Sequence, residues 1–93
     1  MSKVKPKVPV LLFVSKQSHL FDYITEEFTK LVSRLAPCGL FACQTIEIKK
    51  RSDLAEKHKI IALPTLIVGK KRIIGCFKTD QIINLLHKDG YKI

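Results

Sequence analysis

The sequence predicts an α/β domain: a mixed four-stranded sheet between helical layers in a three-layer α/β/α sandwich, with elements in the order β-α-β-α-β-β-α. Three observations carry this. A nearly unbroken apolar run of strand length, Val8 to Val14, opens the chain; a stretch with the apolar spacing of one helical face follows; two short β-rich runs joined through a glycine lie toward the end. The 93 residues, 46% hydrophobic and 27% charged, suffice for one small domain and leave no room for a second core. With four Gly, four Pro and a mean hydropathy of +0.10, there is enough apolar matter to offset the entropy of ordering the backbone. The expected organisation is a disordered lead-in over 1–7, one domain over 8–88 and a short tail over 89–93.

Each element has its own signal. Val8 to Val14 (V-P-V-L-L-F-V) suits a central strand buried on both faces. Phe21, Ile24, Phe28, Leu31, Val32 and Leu35 recur at helical spacing with acidic residues near the start, which predicts a helix over roughly His19 to Leu35, capped by Ser18. Pro37 and Gly39 end it. Between Leu40 and Ile48 a second strand begins, with partial alternation and one apparent shift of phase. Ser52 reads as the N-cap of a helix of one or two turns that gives way near Lys59. Pro64 to Val68 and Arg72 to Cys76 form an antiparallel hairpin at the sheet edge. Thr79 with Asp80 marks the N-cap of a last helix that ends at Gly90. The helical crossover makes the first two strands parallel neighbours.

Seventeen Lys and Arg against eight Asp and Glu give a net charge of +9, which draws the chain toward an acidic protein partner or, more weakly, nucleic acid. No aromatic stacking motif accompanies the basic clusters, so a solvated basic surface is the favoured reading. Three Cys and no apolar leader point to a reducing cytoplasm, and no run is long enough to span a membrane. Cys38 and Cys43 stand as C-x4-C without a second ligand pair, so no metal is expected.

The stretch Ser52 to Gly75, S-D-L-A-E-K-H-K-I-I-A-L-P-T-L-I-V-G-K-K-R-I-I-G, resembles the second half of thioredoxins and glutaredoxins, where a short helix leads into a hairpin opened by a cis proline. The resemblance covers Val8 to Leu86 and implies a thioredoxin-like fold with a cis bond between Leu63 and Pro64. Redox members carry Cys-x-x-Cys between the first strand and first helix, where the helix N-terminus lowers a thiol pKa. Here that place reads Ser15-Lys16-Gln17-Ser18-His19-Leu20-Phe21-Asp22. Spacing from the strand sets Ser18 and Phe21 at the thiol positions; matching on Ser-Lys sets His19 and Asp22 there. Neither supplies a sulfur, and a serine hydroxyl cannot exchange disulfides.

What the resemblance implies is a redox-inactive module that docks a protein partner in the groove beside the proline, lined by Lys16, Gln17, Ser18, His19, Leu63, Pro64, Thr65, Gly75, Cys76 and Phe77. No catalytic residue is assigned. Leu54-Ala55-Glu56, Lys59-Ile60-Ile61-Ala62, Pro64-Thr65-Leu66 and Arg72-Ile73-Ile74-Gly75 resemble the cyanobacterial clock protein KaiB and related kinase sensor domains, which are binding modules. Similarity to glutaredoxins leaves two alternatives open: glutathione held by Lys16, Leu63, Thr79 and Asp80, or thiol-disulfide activity at Cys76.

Overall fold

A computed structural model describes residues 7–93, so most of the expected lead-in lies outside the described residues. Strand β1 (Val8–Val14) occupies the interior of the sheet, and its apolar run divides between the two faces. Val10, Leu12 and Val14 enter one core, while Phe13 enters another with Ile46 and Ile67. This is why the run does not alternate with polar residues: both faces of the strand are covered.

Helix α1 (Phe21–Leu35) lays Ile24, Phe28, Leu31 and Leu35 on the first core, and a 3-10 turn, Ala36–Cys38, follows it. Gly39 leaves that turn at φ +66°, a conformation in which glycine carries no steric cost. Strand β2 (Phe41–Glu47) explains the phase shift in its sequence. Phe41 and Cys43 pack with the α1 face, and Ile46 and Ile48 with the opposite face. Helix α2 (Ser52–Lys57), strands β3 (Thr65–Val68) and β4 (Lys71–Ile74), and helix α3 (Thr79–Lys88) complete the order.

The sheet runs β2-β1-β3-β4, with β1 parallel to β2 and antiparallel to β3, and β3 antiparallel to β4. Helices α1 and α3 cover one face with the larger core; the six-residue α2 covers the other with a smaller one. The result is the expected mixed four-stranded, three-layer architecture.

Several expected boundaries and caps shift. Helix α1 starts at Phe21, not His19, because Ser15 to Leu20 is taken up by turns. Ser52 and Thr79 are the first residues inside α2 and α3, so neither is the N-cap; Arg51 and Lys78 hold those positions without a side-chain cap. Strand β4 starts at Lys71 and stops at Ile74, since Gly75 at φ +96° turns the chain and puts Cys76 outside the strand.

Candidate functional site

The site is built where the end of β1 and the start of β3 meet the turn that precedes α1. That turn is organised by its two serines. Ser15 accepts from the Gln17 N–H at its hydroxyl (3.3 Å) and from the Ser18 N–H at its carbonyl (3.1 Å). Ser18 accepts from Leu20 N–H at its hydroxyl and from Phe21 N–H at its carbonyl, both at 3.1 Å. Its side chain therefore closes a local turn two residues ahead of the Leu20 cap position.

The Leu63–Pro64 peptide bond is cis. Gly75 N–H donates to the Pro64 carbonyl at 2.8 Å, and the Thr65 hydroxyl donates to the Ala62 carbonyl at 2.6 Å. The Ser15–Leu20 turn packs directly on Leu63 and Pro64, leaving a void of only about 10 Å³ lined also by Val14, Phe21 and Ile24. That is at the lower limit for one water molecule. Pro64 and Thr65 are buried, Ser18, Leu63 and Gly75 half-buried, and Lys16, Gln17 and His19 exposed. The expected groove is a filled seam with a polar rim.

Two of its expected members belong elsewhere. Phe77 is 2% exposed and packs in the main core, because the chain turns inward after Gly75. Cys76 is exposed and lines a separate cleft of about 280 Å³ with Tyr23, Phe77, Lys78 and Gln81.

Beside the seam the surface is apolar. Ile61 is 87% exposed and Ile74 55%. Both flank Thr65: Ala62, next to Ile61, accepts its hydroxyl, and Ile74 is its partner across the β3–β4 ladder. Ile48, Ala55, Ile60, Ile61, Ala62 and Leu63 line a cleft of about 380 Å³ with no charged member. Arg72 fixes the frame, donating to the Lys59 carbonyl at 2.9 Å and to the His58 carbonyl. Composition gave no sign that Ile61 and Ile74 would face solvent. Their apolar neighbours Ile60 and Ile73 are half-buried; a bend at Ala62 separates the first pair and strand alternation the second.

Of the residues assigned to glutathione, Thr79 is already engaged by a carboxylate of the chain itself. Thr79 N–H donates to Glu27 Oε1 at 2.8 Å, and its hydroxyl donates to the same oxygen at 3.0 Å. A ligand carboxylate there would have to displace Glu27, whose own pKa is lowered mainly by the Thr79 N–H, helped by Lys30. Glu27 thus supplies from α1 the cap that α3 lacks locally, a contact spanning 52 positions that no short motif signals. Burial pushes the Cys43 thiol up. Among the described residues no three His, Cys, Asp or Glu side chains gather as a metal site, and no helix is long and apolar enough to cross a membrane.

Known structures share this architecture. A malarial protein superposes with a TM-score of 0.80 at 23% identity, covering 92% of this chain and all of that one (100%). The malaria parasite's thioredoxin-2, described as a component of its protein secretion machinery, gives 0.74 at 25% identity over 92% of this chain and 86% of its own. Chloroplastic thioredoxin z gives 0.72 at 17% identity over 88% and 77%. The fold is the thioredoxin fold. No family model and no curated protein matches the sequence. Set against the thioredoxin fold, the Ser15–Leu20 turn occupies the place between first strand and first helix, and it contains no cysteine.

Proposed function

We propose that this chain is a redox-inactive thioredoxin-fold module that binds a protein partner at the surface around Pro64. One observation carries the reading. Beside the seam where a thiol pair would work, the chain presents serine turns and two exposed isoleucines, Ile61 and Ile74. Large aliphatic side chains held in solvent beside an ordered apolar cleft lower the cost of docking, because little must reorganise before they are buried. The polar rim of Lys16, Gln17 and His19 and the net charge of +9 favour an acidic partner segment. The partner role accords with the resemblance to KaiB and to kinase sensor domains.

The test is site-specific photo-crosslinking in the native cytoplasm. A photoreactive residue at Ile61 or Gln17 should capture one discrete partner, and the same residue at Ser33, on the far side of α1, should not. Equal capture from all three positions would refute a localised docking surface.

A second reading rests on Cys76, an exposed thiol in a cleft beside Lys78. As a thiol-dependent site it requires Cys76 to react with an alkylating reagent faster than a cysteine in the unfolded chain. Labelling at or below the unfolded rate removes this reading.

A further inference from the structure

The two edges of the sheet are built differently. The β4 edge is four residues long and begins with Lys71 and Arg72, which are engaged with Asp89 and with the end of α2. Short, charged edges resist pairing with another chain. The β2 edge is seven residues long, and from Phe41 to Ile46 it carries no charge, no proline and no glycine. Among the described residues no strand covers its outer side.

Its hydrogen-bonding parity follows from the ladder. Val8 N–H donates to the Leu40 carbonyl at 2.8 Å, and Ile48 N–H donates to the Val14 carbonyl at 3.0 Å. In the parallel register between them, the even-numbered residues Leu40 to Ile48 bond to β1. The N–H and C=O groups of Phe41, Cys43 and Thr45, and the N–H of Glu47, are left pointing outward; the Glu47 carbonyl is taken by Lys50 and Arg51.

We infer that this edge is a self-association surface, on which a second copy of the chain pairs β2 to β2 antiparallel about a twofold axis at Gln44. That axis opposes Cys43 with Thr45, so outward groups meet outward groups, and Gln44 meets Gln44 as a pair not bonded to each other. It also sets exposed Ala42 beside Ile46 and exposed Leu40 beside Ile48, extending the thinly covered α2 face of each copy across the join. One local contact supports this occupant against the net charge. The turn holding Lys49 and Lys50 comes to the carbonyl end of the other copy's α1 and its 3-10 turn, where cations are favoured. Because each copy carries +9, repulsion between the bodies opposes the pairing until salt screens it.

Sedimentation velocity on the full chain tests this. A single pairing of short strands is smaller than a stable interface, so the mass should rise toward the dimer between about 10 µM and about 1 mM. Raising salt should strengthen the association, the reverse of binding to an acidic partner. Thr45→Pro removes only an outward N–H and leaves the β1 ladder whole, so it should give a folded monomer at every concentration. Gln44→Cys should form a reducible dimer joined through the substituted position on mild oxidation, and Ala42→Cys should not. A wild type monomeric throughout, a dimer indifferent to Thr45→Pro, or a Gln44→Cys variant that does not cross-link would each overturn the inference. So would amides of Cys43 and Thr45 already protected from exchange in dilute protein.

Discussion

Replacing Glu27 tests how the two helices of the larger layer are joined. In Glu27→Ala the buried start of α3 loses the acceptor for the Thr79 N–H, a bond of 2.8 Å to a side chain only 13% exposed. Hydrogen bonds to charged groups contribute about 1.5–3 kcal/mol net, so a loss of about 2 kcal/mol is expected. The 3.6 Å ion pair with Lys30 adds only tenths, because Lys30 is 61% exposed. For a domain of this size, that loss lowers Tm by roughly 8–16 °C. Glu27→Gln keeps an acceptor and should lose about half as much. The carboxyl pKa is lowered in the folded state, so its stabilisation is fully present above the unfolded value and disappears as pH falls through the folded one. Urea denaturation should therefore show wild type and Glu27→Gln well separated at pH 7, with the separation shrinking as pH falls below the ordinary carboxylate range. A difference that persists undiminished as pH falls, or a Glu27→Ala loss under about 0.5 kcal/mol, would refute the cap.

Three further outcomes follow from the same structure. Leu31→Ala, at a fully buried position in the main core, should cost about 2–5 kcal/mol by denaturation, a large share of the stability of a small domain. In alkylation mapped by mass spectrometry, exposed Cys76 should label well before half-buried Cys43, whose thiol is pushed up by burial; simultaneous labelling would mean the sheet edge opens. Insulin reduction driven by dithiothreitol should proceed at the uncatalysed rate, since no cysteine stands in the turn before α1.

The element order was legible because periodicity reports burial directly. The run from Val8 suits a strand covered on both faces, and the spacing from Ile24 to Leu35 an amphipathic helix. The caps were not legible. Ser18, Ser52 and Thr79 all have capping chemistry, yet Ser18 serves a turn, Ser52 opens its helix from inside, and Thr79 receives a cap from another helix. Local hydrogen-bonding competence says what a side chain can do; tertiary packing decides which partner it meets. The same limit applies to the site. The resemblance located the turn and Pro64 together, but Phe77 goes into the core and Ile61 into solvent, a distinction that follows from bends at Gly75 and Ala62.

The central claim is docking at the Pro64 surface without sulfur chemistry. The most direct measurement compares affinity capture by wild type, a variant with Cys38, Cys43 and Cys76 all changed to Ser, and Ile61→Asp combined with Ile74→Asp, each verified as folded. The cysteine-free chain should retain the wild-type partner and the double aspartate variant should lose it. Loss of the partner with the cysteines, or its retention when both isoleucines are charged, would contradict the claim.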